Sequence, residues 1–188
     1  MWADQALDLV LGNCKPGDIL DIGSGDGEHS RRFERAGWRV EPVDWQNGTA
    51  YEDITFDREF DCIWASHVLE HMPDVQTSLE KMRHDLKPGG VLAITVPPLK
   101  HEIVGGHVSL WNAGLLLYRL ILAGFDCSRA MIKTYGYNIS AIVERVDIDL
   151  PVLARDAGDI ELLAPFFPMK VHEGFNGDIE SINWHGRK

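Results

Sequence analysis

The stretch ILDIGSGDGE at residues 19–28 constrains the fold more strongly than any other part of the chain. An apolar run leads straight into three glycines at alternate positions, Gly23, Gly25 and Gly27, and a helix-forming sequence follows. Because glycine has no Cβ, such a turn adopts backbone angles closed to other residues and comes close to a ligand. A strand, a glycine turn and a helix in this order predict a site for a nucleotide-like cofactor at the end of the strand.

The spacing and the charges of this turn narrow the choice of cofactor. A dinucleotide fingerprint needs Gly-x-Gly-x-x-Gly, whereas the third glycine here comes one residue early. Asp21, Asp26 and Glu28 place three carboxylates around the turn, which would repel a pyrophosphate but suit a ligand with an ammonium and a sulfonium. In this motif the chain resembles the class I S-adenosylmethionine-dependent methyltransferases, type 11-like. The resemblance implies S-adenosyl-L-methionine as the cofactor.

Further acidic positions follow in order along the chain. Asp44 ends a predicted strand about twenty residues beyond the first glycine, where a carboxylate accepts hydrogen bonds from both ribose hydroxyls. Trp45 offers an aromatic face to the adenine. The family resemblance implies that Asp53 accepts the adenine amino group and that the backbone N–H of Ile54 meets a ring nitrogen. The predicted cofactor-binding set is Asp21, Gly23, Ser24, Gly25, Asp44, Trp45, Asp53, Ile54 and Ser66. The alternative is that Asp21 and Asp44 are strand-end carboxylates that only cap helices.

Two more blocks carry the resemblance. Residues 60–71, FDCIWASHVLEH, are similar to the family's strand and exit loop with the pattern "FD-x-I…LEH". Residues 86–97, LKPGGVLAITVP, match the "LKPGG" turn that leads into its fifth strand. Proline cannot continue the preceding helix, the two glycines are expected to reverse the chain, and the apolar run of residues 91–96 predicts a strand buried on both faces. The resemblance is strong over roughly residues 17–98.

The order of elements predicts an α/β fold: a Rossmann-like, doubly wound, mainly parallel seven-stranded sheet with an antiparallel C-terminal hairpin and helices on both faces. Strands are predicted at residues 18–22, 38–44, 51–54, 60–65, 90–96, 128–135 and 138–146. Helices are predicted at residues 4–11, 28–36, 74–86 and 112–122, the last capped by Asn112. Residues 1–147 are expected to form the methyltransferase domain. Residues 148–188 are expected to form a tail that packs on this domain, covers an interface or joins the acceptor pocket.

Composition limits the partners. The formal net charge is −11 and the eighteen lysines and arginines form no strong cluster, so we expect no nucleic-acid partner. The longest apolar stretch, residues 113–125, is too short to span a bilayer and contains Arg119, and the chain has no basic start, so neither a membrane nor a targeting segment is expected. Three widely spaced cysteines indicate reduced thiols and a cytoplasmic protein. The expected partner is a small-molecule or glycan acceptor, and a homodimer is possible.

Methyl transfer requires alignment, exclusion of water and, for a hydroxyl acceptor, removal of a proton. The candidate bases are His67 and His71, after the strand at residues 60–65, and His107, beside a glycine pair after the next strand. A surface or capping role is the alternative for each. No metal site is predicted, because no compact histidine and carboxylate set has ligand spacing.

The predicted function is methyl transfer to an oxygen or nitrogen of a small-molecule or sugar-type acceptor in an open pocket. The alternatives are a non-catalytic S-adenosylmethionine-binding regulatory or scaffold protein and, more distantly, a nucleotide-dependent oxidoreductase.

Overall fold

The computed structural model describes residues 2–185. Outside it lie Met1, the first residue of the predicted domain, and residues 186–188, the end of the predicted tail. The strands are β1 (Asp18–Ile22), β2 (Arg39–Val43), β3 (Phe60–Ser66), β4 (Leu86–Val96), β5 (Met131–Tyr135), β6 (Asn138–Glu144) and β7 (Ser181–Ile182). The helices are α1 (Asp4–Asn13), α2 (Glu28–Arg35), α3 (Val75–Asp85), α4 (Ala113–Leu122) and α5 (Asp159–Leu163). Short 3-10 turns occur at Trp45–Asn47, Tyr51–Asp53, Leu69–His71 and Ala164–Phe166.

All seven strands lie in one sheet, in the order β2-β1-β3-β4-β6-β5-β7. β1 pairs in parallel with β2 and β3, and β3 pairs in parallel with β4. The hairpin of β5 and β6 joins the edge of β4 in antiparallel orientation, and β7 extends the sheet beyond β5. The predicted α/β fold, with its mainly parallel sheet and antiparallel C-terminal hairpin, is confirmed.

Helices cover both faces of this sheet because the strand side chains are apolar on both faces. One apolar core joins α1 and α2 to Trp64 and other side chains on one face. The other core joins α3 and α4 to Ile63 and its neighbours on the opposite face. Successive side chains of a strand point to opposite faces, so Ile63 and Trp64 serve different cores.

Two predictions about local structure are wrong. Residues 51–54 form no strand: Tyr51 begins a 3-10 turn, its ring is buried, and its hydroxyl donates to Asp85 at 2.8 Å. The seventh strand comes instead from the tail. The LKPGG segment is not a reversal before the strand, because β4 already begins at Leu86 and the segment forms an irregularity within it. The backbone N–H of Gly89 donates to Arg145, and that of Arg145 donates to Gly90, which holds the segment against the sheet.

The tail packs against α4. Asn112 caps α4, as predicted, by accepting the backbone N–H of Leu115 at 2.8 Å, and its amide group donates to the carbonyl of Asn176. The backbone N–H of Gly114 donates to the carbonyl of Gly177 at 2.9 Å. A Cβ on Gly114 would lie 2.5 Å from Cα of Gly177, so glycine is needed for this contact. Among the described residues, no helix is long and apolar enough to cross a membrane.

Gly114→Ala is therefore expected to lower the free energy of unfolding by about 1–3 kcal/mol, because the added methyl group overpacks the contact with the tail. The matched control is Gly12→Ala, near the end of α1, where an added Cβ meets nothing within 4 Å. That change is expected to raise the free energy of unfolding by up to about 1 kcal/mol through helix propensity. Urea denaturation of the two variants measures both effects, and equal stabilities would contradict the proposed close packing of the tail.

Candidate functional site

The glycine turn lies where β1 ends. Gly23, Gly25 and Gly27 all have positive φ, of 71°, 52° and 77°. The backbone N–H groups of Gly23 and Ser24 donate to the carbonyl of Val43 at 2.7 and 3.1 Å, which ties the turn to the end of β2. The space that a Cβ would occupy on Gly25 is open. The turn therefore combines a fixed backbone with room for a ligand.

Asp44 follows β2 and lies beside this turn. One carboxylate oxygen, Oδ2, accepts the N–H of Gly25 at 2.8 Å, and the other, Oδ1, accepts the N–H of Gln46 at 2.9 Å. The second bond makes Asp44 the cap of the turn Trp45–Asn47. Each oxygen of a carboxylate has two lone-pair positions, so both can still accept a hydroxyl. The capping role is observed, and contact with ribose stays a prediction.

Asp21 is a buried carboxylate within β1, with 1% of its surface exposed. Its Oδ2 accepts the hydroxyl of Ser30 at 2.5 Å. Burial raises the pKa of Asp21 to about 6, and the negative charge of Asp44 acts in the same direction. A nearby cation favours the charged form of a buried carboxylate of this kind. Carboxylates with shifted pKa values are common in binding sites.

The remaining predicted cofactor residues lie around the same sheet edge or follow β2. The indole of Trp45 is 74% exposed, so one face is available for stacking. Asp53 is exposed and Ile54 is half-buried. The hydroxyl oxygen of Ser66, at the end of β3, is buried and has no hydrogen-bond partner among the described residues. These groups, with the glycine turn, fit a cationic nucleoside ligand.

His67 differs from the other two candidate bases because both of its ring nitrogens have protein partners. Nδ1 lies 3.3 Å from Oε1 of Glu70, and Nε2 lies 3.0 Å from Oδ1 of Asn138. That amide oxygen also accepts the backbone N–H of Ala3, so it faces His67 as an acceptor. Burial opposes the charged ring, but the hydrogen bonds to Glu70 and Asn138 outweigh it and raise the pKa of His67. Two acceptors fit a doubly protonated imidazolium, which is poorly suited to take up a proton.

His71 and His107 lie together, with Glu70 beside them. The two rings are perpendicular, with centroids 4.9 Å apart, and Nδ1 of His71 lies 2.9 Å from the carbonyl oxygen of Gly106. One ligand atom from each of Glu70, His71 and His107 lies within 4.8 Å of the others. The sequence contains no histidine and carboxylate set with ligand spacing, but the fold gathers these three side chains by bringing the loop after β4 against the turn Leu69–His71. No spacing within one segment could have revealed it.

A cleft of about 140 Å³ lies next to this cluster, between residues 97–111 and Tyr137. His107 and Trp111 line it, and the buried indole nitrogen of Trp111 has no hydrogen-bond partner among residues 2–185. Six of its other lining residues are apolar, and five are polar or ionisable: Lys100, His101, Glu102, Ser109 and Tyr137. A larger groove of about 580 Å³ lies towards the opposite edge of the sheet, but no predicted site residue lines it.

Known proteins share parts of this sequence and this fold. A family model described as a methyltransferase domain matches residues 2–119. The 27-O-demethylrifamycin SV methyltransferase of Amycolatopsis mediterranei is 30% identical over 104 residues, which cover 48% of this chain and 38% of that protein. The ubiquinone biosynthesis O-methyltransferase of Nitrobacter winogradskyi is 33% identical over 102 residues, which cover 43% of this chain and 39% of that protein. The chain thus spans less than two fifths of the length of these relatives.

A solved structure shows the same fold. The crystal structure of Burkholderia thailandensis 1,6-didemethyltoxoflavin-N1-methyltransferase, with bound 1,6-didemethyltoxoflavin and S-adenosylhomocysteine, superposes with a TM-score of 0.65. The match covers 76% of this chain and 77% of that chain, at 18% sequence identity. At this identity the likeness concerns the fold.

The raised pKa of Asp21 has a consequence for stability. The carboxyl holds its proton in the folded state up to a pH of about 6, compared with 3.8 for the ordinary group, so folding is favoured at low pH and this contribution is lost as the pH rises through about 6. Asp21→Asn retains an acceptor for Ser30 and removes the charge. We expect this variant to be more stable than the parent at pH 8 by about 1–3 kcal/mol, a gain that vanishes near pH 4.

Chemical denaturation without ligand, between pH 4 and 8, measures this difference. Ser30→Ala is the companion variant, because it keeps the carboxylate but removes the hydrogen bond that favours its charged form. It is expected to be less stable than the parent, most of all above pH 6. A pH-independent difference between Asp21→Asn and the parent protein would contradict the argument.

Proposed function

Because this chain belongs to the class I S-adenosylmethionine-dependent methyltransferase family, we propose that it transfers a methyl group from S-adenosylmethionine to an oxygen or nitrogen of a small-molecule or sugar-type acceptor. The observation that carries the proposal is the meeting, at one sheet edge, of the glycine turn, the Asp44 carboxylate and the Ser66 hydroxyl, which has no hydrogen-bond partner among residues 2–185. The cofactor, when bound, supplies a methyl group activated on a sulfonium. The protein has to hold it, align the acceptor and exclude water.

Different residues at this sheet edge would contact different parts of the cofactor. Asp44 would accept the ribose hydroxyls with the lone pairs that Gly25 and Gln46 leave unused. Trp45, on the next position, would stack its exposed ring on the adenine, and Asp53 with Ile54 would meet the adenine edge. Two carboxylates, Asp21 and Asp44, favour a positively charged ligand at this end of the sheet over a pyrophosphate.

The cleft beside residues 97–111 is the proposed acceptor site. Its apolar lining residues suit a ring or a carbon chain, and Trp111 forms part of its wall. Both curated relatives are named as methyltransferases, one of them explicitly as an O-methyltransferase, which supports a small-molecule acceptor with a hydroxyl group. Since His67 has both nitrogens engaged, we assign removal of the hydroxyl proton to the pair His71 and His107.

Calorimetric titration with S-adenosylhomocysteine tests the cofactor site. We expect micromolar binding and much weaker binding of NAD⁺. Asp44→Asn should weaken S-adenosylhomocysteine binding roughly 10- to 100-fold, because it removes the charge from the hydrogen bonds to ribose. Asp74→Asn is the matched control: this carboxylate also caps a helix, α3, by accepting the N–H of Thr77 at 3.1 Å, but it lies outside the proposed site. Tighter binding of NAD⁺ than of S-adenosylhomocysteine would contradict the proposal.

Turnover separates an enzyme from a binding protein. Transfer of labelled methyl from S-adenosylmethionine to hydroxyl and amine acceptors is the expected result, and His107→Gln should lower it about 10²- to 10⁴-fold. The same variant should bind S-adenosylhomocysteine almost as tightly as the parent, since His107 lies on the acceptor side. Binding that leads to no transfer with any acceptor would favour the regulatory or scaffold alternative.

A further inference from the structure

We propose that Glu70, His71 and His107 form a binding site for a divalent transition-metal cation beside the acceptor cleft. One ligand atom from each residue lies within 4.8 Å of the others. Glu70 and His71 are adjacent on the turn Leu69–His71, and His107 lies on the loop after β4. That loop is fastened to the turn, because the N–H of Val108 donates to the carbonyl of Glu70 at 2.7 Å.

Glu70 provides an independent reason to expect a cation. Its surface is only 1% exposed, and one carboxylate oxygen, Oε2, has no hydrogen-bond partner among residues 2–185. The other oxygen, Oε1, faces His67 at 3.3 Å. Leaving a buried carboxylate oxygen without a partner is unfavourable, so proteins rarely do so without a function. A cation between Glu70 and the two histidines would satisfy that oxygen.

The groups around the cluster are arranged as supports for metal ligands. If Nδ1 of His71 donates its proton to the carbonyl of Gly106, the lone pair of the neutral ring is on Nε2, where a metal can bind. Gly106 has φ of 82°, and a Cβ there would lie 3.1 Å from Nδ1 of His71, so glycine permits this approach. His67 in turn holds the Glu70 carboxylate and is itself held by Asn138. Ligand residues and supporting residues are thus both present.

The ligand types select the cation. Two imidazoles with one carboxylate suit Zn²⁺, Co²⁺, Mn²⁺ or Fe²⁺ better than Mg²⁺ or Ca²⁺, which prefer oxygen ligands alone. Three protein ligands leave coordination positions open, as in catalytic rather than structural sites. Bonds of about 2.0–2.2 Å bring ligand atoms to about 3.3 Å from one another, so the separations within the cluster have to shorten by up to about 1.5 Å. His71 is exposed and His107 is half-buried on a loop, so both rings have room for this movement.

Cation binding does not depend on the proposed function, but its role in the reaction rests on it. His107 belongs to the cluster and also lines the cleft, so the open coordination positions of the cation lie beside the proposed acceptor site. A cation there lowers the pKa of an acceptor hydroxyl, whose proton is released to solvent. The acceptor oxygen then forms the new C–O bond while the C–S bond of the cofactor breaks and its electron pair stays on sulfur. In the protein with a bound cation, release of the proton to solvent replaces the proton removal assigned above to His71 and His107, and the two histidines act as ligands.

Titration of tag-free protein with Co²⁺ tests the site, because histidine-ligated Co²⁺ has a visible absorption that reports its ligands. We expect one equivalent to bind, and Mg²⁺ not to displace it. Glu70→Gln and His107→Gln should each weaken binding at least about tenfold. His84→Gln is the control: this histidine is exposed on α3, away from the cluster, and its loss should leave Co²⁺ binding unchanged.

The same samples distinguish failure of this proposal from failure of the proposed function. Thermal melting shows that each variant is folded, and titration with S-adenosylhomocysteine reports the cofactor site separately. Zn²⁺ should raise the melting temperature of the parent protein and of His84→Gln but not of His107→Gln. The absence of Co²⁺ binding in the folded parent, or binding that both Glu70→Gln and His107→Gln retain, would overturn the metal site and leave the proposed cofactor site untouched.

Discussion

The parallel pairing of β1 with β2 on one side and β3 on the other is the constraint on which the site depends. In this register Ile22 lies opposite Val43 and Ala65, so the three strands end at one level of the sheet. The chain leaves each strand at this level. The two hydrogen bonds from the glycine turn to Val43 hold the turn after β1 against the end of β2. Groups from separate segments therefore meet at this level, where Asp44 accepts the N–H of Gly25.

This sheet edge is crowded with buried carboxylates, and each is stabilised in a different way. Asp21 accepts a serine hydroxyl, which partly offsets the burial that raises its pKa, Asp44 accepts two backbone N–H groups, and Glu70 faces the ring of His67. Carboxylates retained in such positions make the edge attractive to cations and hostile to anions. A sulfonium on one side and a metal cation on the other would make use of the same property, which connects the two proposals physically.

Local signals in the sequence predicted much of the fold. The end of β1, the glycine turn and the Asn112 cap are determined by neighbouring residues, and they occur where predicted. The prediction of a strand at residues 51–54 is wrong because the buried ring of Tyr51 is held by a hydrogen bond to Asp85, which lies far along the chain. The side-chain contacts of the site were harder to predict than the fold. The partners of His67 come from the turn Leu69–His71 and from β6, so no motif shows that both nitrogens are engaged, and the contact between His71 and His107 requires two loops to meet.

The two sides of the site differ in how many contacts hold them to the rest of the fold. Asn138 at the start of β6 binds both Ala3 and His67, and Trp2 packs on the His67 ring with centroids 5.0 Å apart, so the N-terminal segment, the hairpin and the end of β3 hold one another. The loop of residues 97–111 has the opposite character, with Ile103 96% exposed and several other apolar side chains in solvent. Exposed apolar side chains beside a cleft gain most by closing over an apolar ligand. Cofactor chemistry would then be set by the rigid edge, and selection among acceptors by the loop that covers them.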